Sequence, residues 1–472
     1  MILLKFGGKS LANGNGIDNT ISIITSKIKS NKKVTIILSA RGKTTDNLEF
    51  FLEYAKLKKD FSLQWQQFKQ YQIAPCLDVD LNKEFELLEN IFNEITLTES
   101  YTPKIKDLVL AQGEILATKL VSKILNNNGI DSIAIDSRLF LKTDSTFGNA
   151  KILEVISANK TIAFFNTLCK DKLPIVTGFI ASNMDNDTTT LGRNGSNYST
   201  SIIANYLNAK EIHSYTHIDG IYTANPDKVS SAKIMEHLTF SEANELANFG
   251  ASILHPKTIS PLTKKEIPLR ILNTFNSNNN GTTISNNNLT NNIKSVTIQE
   301  NSSLVHIKGR DLLSYGEIDM RIFNLLNSLQ INVGIISQSS SETNISFLIP
   351  KTHTNRVIIA LKNEFLVEFS NNNITSIVAQ NNISLITIIG QNVNNFAPIF
   401  KQLNASKIHI LSIHNNFNRN NISLIVKSNT ANKAANIIHS QIFSSYKKNV
   451  FIRNRKIFPW NLNASKNSIY RK

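Results

Sequence analysis

The chain has 472 residues, 41% of them hydrophobic, and a formal net charge of +16 from 51 Lys and Arg against 35 Asp and Glu. That length exceeds what one hydrophobic core serves and predicts roughly two to four domains, while no apolar run of about 18 residues is available to cross a bilayer. The positive charge is dispersed along the chain, with its densest stretch at Lys447, Lys448, Arg453, Arg455 and Lys456, which argues against a nucleic-acid footprint.

Cys76 and Cys169 lie far apart without Cys-x-x-Cys spacing, so neither a disulfide scaffold nor a zinc site is expected. The opening Met1-Ile2-Leu3-Leu4-Lys5-Phe6-Gly7-Gly8 is too short and glycine-rich for an export signal, and a cytoplasmic address is expected. Ile2 to Phe6 reads as a buried strand, followed by a helical stretch through Ile17 and Ile24. Val34 to Leu38 is a second strand, ending in Ser39-Ala40-Arg41-Gly42. Strand, small-residue turn and helix in this order predict an α/β sheet with crossover helices.

Leu48 to Leu97, with Trp65, Phe68 and Tyr71, reads as a helical lid or insertion, and Leu108 to Leu125 as a helix enclosing Gly113-Glu114. Strands are predicted at Ile133–Ile135, Thr161–Phe164 and Leu173–Val176. Gly192-Arg193-Asn194-Gly195-Ser196 then precedes the start of a helix. Polar, glycine-rich turns after strands are where an open α/β sheet holds its ligands.

The asparagine-rich stretch from 286 to 300 is expected to be a linker. Beyond it, a strand-helix-strand-strand unit over 301–375 recurs over 376–450, either following the first or interleaved with it, with Asn344-Ile345-Ser346 matching Asn421-Ile422-Ser423. Duplication of this kind predicts two small α+β modules. Residues 451–472 form a basic tail.

Lys5 at a strand end before Gly7 and Gly8 combines a cation with backbone amides able to turn around an anion, although a lysine there also suits a surface charge. Neither a Walker-type phosphate loop nor a Gly-x-Gly-x-x-Gly fingerprint is present. Ser39 and the Thr44-Thr45 pair offer hydroxyls to a small carboxylate or, equally, helix caps. Glu114 sits in a small and apolar turn of helix, where a carboxylate is costly unless paired with a cation. Arg193 supplies a bidentate fork for a carboxylate or phosphate beside an amide-rich turn. Asp219-Gly220 joins a strand to a turn that offers either a magnesium-directed carboxylate or an ordinary bend.

Six blocks in order resemble the aspartate kinases: Lys5-Phe6-Gly7-Gly8, Ala111-Gln112-Gly113-Glu114, Thr177-Gly178-Phe179, Gly192-Arg193-Asn194-Gly195-Ser196, Asp219-Gly220-Ile221-Tyr222 and His255-Pro256-Lys257-Thr258-Ile259. The similarity extends through Gln338-Ser339-Ser340-Ser341-Glu342, covers nearly the whole chain, and within the family points to the kinase portion of the bifunctional aspartokinase/homoserine dehydrogenases without the dehydrogenase.

The resemblance implies an amino-acid-kinase-like three-layer α/β sandwich over 1–285 with C-terminal tandem ACT-like α+β modules. It implies transfer of a phosphoryl group from ATP, with Mg2+, to the side-chain carboxylate of L-aspartate. By motif position Lys5 and Gly8, with Asp219, would serve the transfer. Ser39, Thr45, Glu114, Arg193 and Ser196 would hold the substrate, and Lys5, Gly7, Thr216, Asp219, Tyr222 and Lys228 the nucleotide. Asn332 and Gln338 would meet an amino-acid effector such as threonine, and a homodimer or homotetramer is expected. Asn197 and His217 stand where the family carries aspartates, Asn225-Pro226-Asp227 where it carries Asp-Pro-Arg, and Ser252 often where it has lysine. These departures also admit a catalytically weakened regulatory partner, and a related kinase with another carboxylate substrate is a further alternative.

Overall fold

A computed structural model describes residues 1–12, 14–30, 33–168, 172–249, 255–286, 293–310, 318–338, 344–390, 396–415 and 420–453. The chain divides into two units: residues 1–223 with 233–294, and 224–232 with 295–472.

In the first unit the strands are β1 (Ile2–Phe6), β2 (Val34–Leu38), β3 (Ser132–Ile135), β4 (Leu173–Thr177), β5 (Ile180–Ser182), β6 (Thr188–Thr190), β7 (Glu211–Thr216), β8 (His237–Leu238), β9 (Leu269–Asn273) and β10 (Thr282–Ile284). Eight of them form one sheet in the order β3-β4-β2-β1-β7-β9-β10-β8, and β5 pairs with β6. From β3 through β9 every pairing among the described residues is parallel. All five residues of β1 and of β2 are buried, as expected of central parallel strands covered on both faces. The sheet order departs in opposite directions from β1, through β2 on one side and β7 on the other, so the crevice at their carboxyl ends is a topological switch point.

The helices of this unit are α1 (Asn15–Lys29), α2 (Thr44–Lys56), α3 (Ser62–Ile73), α4 (Asn82–Thr98), α5 (Pro103–Asn127), α6 (Glu154–Leu168), α7 (Gly195–Tyr206), α8 (Phe240–Asn248) and α9 (Pro256–Thr263). The expected helical insertion is α2 to α4, packed on α5 by its own apolar cluster, with Phe51 in edge contact with both Trp65 and Phe68. One element differs from the sequence expectation: Thr161–Phe164 lies inside α6, not in a strand. Four residues, three of them apolar, carry no period of their own, and length decides such cases; here the run continues helically from Glu154, with Phe164 and Phe165 both reaching Phe140.

The second unit holds β11 (Ile293–Gly309, in this unit from Ser295), α10 (Ile318–Ser328), β12 (Ile336–Gln338), β13 (Asn344–Pro350), α11 (Thr354–Glu364), α12 (Leu366–Ser370), β14 (Ile374–Gly390), α13 (Ala397–Ala405), β15 (Ile410–Asn415), β16 (Asn421–Lys427) and α14 (Ser428–Arg453). Its six strands form a single sheet in the order β12-β13-β11-β14-β16-β15. The two copies meet at β11 and β14. Their registers correspond: Ile345 faces Ile307 and Ile422 faces Ile388.

Two boundaries differ from those expected. β11 begins at Ile293, within the stretch expected to be a linker, because Val296 and Ile298 alternate with polar neighbours at the strand period. Residues 224–232 belong to the second unit: Lys228 pairs with Glu300 at 2.8 Å, Asn436 donates to the Lys228 carbonyl, and Ser231 Oγ lies 3.0 Å from His439 Nδ1. The basic tail beyond 453 and Ser252 lie outside the described residues. No helix among the described residues is long and apolar enough to cross a membrane.

Phe51 is 1% exposed at the centre of the insertion. Phe51→Ala is expected to destabilise the protein by about 3–5 kcal/mol, from lost apolar burial plus the cavity left behind. Denaturant titration followed by tryptophan fluorescence measures this, since Trp65 reports on the same cluster.

Candidate active site

The site begins with a charge in the wrong solvent. Lys5 lies in β1 with only 8% of its surface exposed; its register partners are Ile37 in β2 and Ser214 in β7. Removal from water pushes its ammonium pKa down to about 8, and the nearby Glu114 carboxylate partly opposes that shift. Glu114 projects from α5, 3% exposed. Burial raises its carboxyl to about 8, against the Ala40 N–H, which donates to Oε1 at 3.0 Å, and the charge of Lys5. Its Oε2 is buried without a hydrogen-bond partner among the described residues. An unmet acceptor beside a desolvated cation is expensive in an empty pocket. A ligand that brings an ammonium donor and a negative group would satisfy both.

Two cavities meet at Lys5. The larger, about 710 Å3, is lined by Lys5, Gly8, Ser39, Thr45, Glu114, Arg193 and Ser196 among others. The smaller, about 210 Å3, runs under α7 along the same face of β1, β7 and β9, and is lined by Lys5, Asn197, Ser214, Thr216 and His217 among others. Lys5, Asn194 and Asn197 line both. Close backbone approaches shape the junction. A Cβ on Gly8 would sit 2.7 Å from the Ala40 carbonyl oxygen, and one on Gly178 would sit 2.7 Å from Ser196 Cβ. The turn carrying Arg193 is made by two left-handed residues, Gly192 (φ 77°) and Asn194 (φ 58°), the residue types that adopt this region at least cost. Arg193 is exposed there and has no carboxylate partner among the described residues.

The structure gathers all the expected substrate-side residues, Ser39, Thr45, Glu114, Arg193 and Ser196, with Lys5 and Gly8 around one cavity, and places Thr216 in the adjoining one. Other expected positions fall elsewhere. The Gly7 N–H is committed to the Tyr215 carbonyl at 3.1 Å rather than free to face an anion, because β1 and β7 continue their pairing to that point. Asp219 lines neither cavity; its Oδ1 accepts from Asn273 at 2.7 Å and Asn276 at 3.0 Å. Tyr222 bridges to Ile234. Lys228 is paired with Glu300 within the second unit. Asn332 and Gln338 are also in that unit, exposed, with Gln338 Nε2 3.4 Å from Asp319 Oδ2.

The amino acid kinase family model matches residues 1–273, more than half the chain. The chain belongs to the amino acid kinase family. An ACT domain model matches residues 305–365, so the amino acid kinase unit is followed by an ACT module, and the second copy of that module completes the tandem. The bifunctional aspartokinase/homoserine dehydrogenase of Buchnera aphidicola is 30% identical over 95% of this chain, which spans 57% of that relative. Aspartokinase 3 of Arabidopsis thaliana is 28% identical over 94% of this chain and 82% of its own length. Escherichia coli aspartokinase III, solved with aspartate and ADP, shares the fold with a TM-score of 0.80 at 24% identity, over 94% of this chain and all of that one. Against the first bifunctional relatives the chain spans between half and three-fifths of their length.

One residue at the wall of the larger cavity carries no sequence signal. Asp107, 1% exposed, accepts from the Gly148 N–H (2.8 Å), the Thr190 N–H (2.8 Å) and Thr190 Oγ1 (2.9 Å). It thereby ties α5 to two segments of the larger cavity's wall. In the sequence it stands one residue before the helix expected over Leu108 to Leu125, an ordinary place for a helix-capping acid. Only the 41- and 83-residue separations closed by folding reveal its partners.

Glu114→Gln removes the charge that supports protonated Lys5, so the Lys5 pKa is expected to fall below about 8. Isotope-edited NMR titration of the lysine side chains reads this directly; an unchanged or higher value would separate the two groups.

Proposed function

We propose that this chain is an aspartate kinase, passing the γ-phosphoryl group of ATP to the side-chain carboxylate of L-aspartate to give 4-phospho-L-aspartate and ADP. The observation that carries the reading is Lys5 at the junction of the two cavities, with Glu114 and Arg193 in the larger one. A zwitterionic dicarboxylate fits the larger cavity's chemistry: its ammonium answers Glu114 Oε2, its α-carboxylate answers the Arg193 fork, which has no carboxylate partner among the described residues, and its side-chain carboxylate is left directed at Lys5. The names of the relatives, and the aspartate and ADP of the Escherichia coli structure, support the same substrate pair.

In this reading a side-chain carboxylate oxygen attacks the γ-phosphorus while the bond to the bridging oxygen of ADP breaks. The nucleophile is already an anion, so no base has to remove a proton. Lys5 neutralises charge on the transferred group where water is excluded and electrostatics are strong. The triphosphate would enter past Thr216 and Asn197. Magnesium would supply further charge neutralisation to the phosphates; Asp219, in the turn after β7, would be the carboxylate to hold it, since one or two carboxylates with substrate phosphates suit this ion, and its Oδ1, now accepting from Asn273 and Asn276, would have to be released to do so. Among the described residues no group of three or more acidic, His or Cys side chains forms a ready-made metal cage.

A second reading, a catalytically weakened assembly partner, draws on Asn197 and His217, which line the smaller cavity without carboxylate charge. We further read the second unit as regulatory, with Asn332 and Gln338 meeting an amino-acid effector such as threonine. The exposed Ile336 on edge strand β12 and Ile413 on edge strand β15 favour pairing of this unit with a second copy.

A coupled assay of aspartate-dependent ADP release tests the main reading, and turnover indifferent to L-aspartate would overturn it. Lys5→Ala is expected to lower kcat by about 10²–10³-fold, the effect of removing one transition-state donor. Arg193→Ala should raise the KM for L-aspartate by about 10–100-fold, matching the loss of a charged hydrogen bond. No turnover by the folded, purified chain would favour the weakened partner.

The pH dependence follows from the two buried groups. Glu114 must lose its proton to hold an ammonium, so kcat/KM rises as pH approaches about 8; Lys5 must keep its proton, so the rate falls above about 8. A narrow bell in the kcat/KM profile is expected, its two apparent pKa values belonging to the pair. Lys5→Arg should remove the alkaline limb, because a guanidinium stays charged.

A further inference from the structure

We propose that the amino acid kinase unit carries a second small-molecule site, a cavity of about 330 Å3 between the first turns of α4, the back of α5 and the end of β3, that binds a small zwitterion with a branched aliphatic body. It shares no lining residue with either cavity at Lys5. It lies at the carboxyl ends of β3 and β4, reaching Ile135 and Thr177. Carboxyl ends are where parallel sheets hold ligands, and the volume is at the small end of the range for ligand pockets.

The lining divides by chemistry. Leu87, Leu108 and Ile115 supply an apolar wall, and Leu87 remains 39% exposed at the mouth. Glu84 Oε1 is held by Lys119 at 2.5 Å, but Glu84 Oε2 is buried with no hydrogen-bond partner among the described residues. A carboxylate oxygen left unmet in this way calls for a donor, and an ammonium is the strongest one available. Next to it Lys83 is exposed in the first turn of α4 with no carboxylate partner among the described residues. There both its own charge and the positive end of a 17-residue helix favour an anion. An ammonium and a carboxylate on one short molecule meet these two requirements at once, and the apolar wall accepts the aliphatic body.

The same helix serves both sites. Leu108, Gln112, Ile115 and Lys119 face this cavity at helical spacing, whereas Asp107, Leu110 and Glu114 face the cavity at Lys5. A ligand seated here therefore packs on the back of the helix that holds Glu114.

Calorimetric titration of the full chain with L-leucine tests the assignment. Isovalerate lacks the ammonium, isopentylamine lacks the carboxylate and glycine lacks the body. L-leucine should bind, and each of the three others should bind at least about tenfold more weakly, in line with the worth of one charged hydrogen bond or one buried aliphatic side chain. Leu87→Asp and Glu84→Gln, both remote from the cavities at Lys5, should each weaken L-leucine by about tenfold or more on the same grounds, with ADP binding as the check that the unit is folded. Leu87 is partly exposed on a surface helix, so that variant is expected to fold even if Glu84→Gln does not. No heat at about 10 mM L-leucine, a concentration that would reveal even millimolar affinity, would overturn the proposal. So would an isotherm indifferent to Leu87→Asp, because that places binding elsewhere in the chain.

Discussion

Two groups of opposite charge type held out of water at the parallel centre of one sheet organise the first unit. Lys5 and Glu114 come from the first strand and from a helix more than a hundred residues later, and each is shifted toward its neutral form by burial while the other's charge resists. Such a pair contributes little to stability, since desolvation offsets attraction. Its value is electrostatic readiness: a small addition of ligand charge changes the protonation of both groups. The surrounding fold is arranged to keep this pair dry, with Ala40 donating to Glu114, the helical insertion packed on α5, and glycines letting the loops close over the junction.

Much of this was legible in the sequence for a definite reason. Central parallel strands have to be apolar along their whole length, so β1 and β2 stand out as runs, and the glycine and serine turns after them mark the sheet's ligand-bearing end. Arg193 is conspicuous because it stands between glycine and an amide-rich turn, whereas Lys5, which also suits a surface charge, gained its meaning only from the ordered blocks that follow it. Glu114 is conspicuous because it interrupts an apolar helix face. The tandem modules showed themselves through repetition, down to the matched Asn-Ile-Ser triplets of β13 and β16.

What stayed hidden depends on distance along the chain or on local ambiguity. Asp107 looks like a helix-start acid until folding brings Gly148 and Thr190 to it. Thr161–Phe164 has the composition of a strand and the length of nothing in particular, and its helical neighbours settle its form. Gly7 looks like an anion-facing amide, yet the ladder to Tyr215 extends far enough to claim it. Lys228 was legible only as a cation near a nucleotide motif; its partner Glu300 lies 72 residues further on, across a change of unit.

That excursion of residues 224–232 has a consequence for how far the two units are separable. The polypeptide passes between them three times, after Thr223, after Ala232 and after Lys294. Cutting the gene after residue 294 would therefore not release the first unit cleanly: it would strand nine residues whose companions, Glu300, Asn436 and His439, had been discarded. Modularity here is topologically incomplete, and recombination that exchanged the segment after residue 294 alone would have to re-create an interior splice as well as a terminal one.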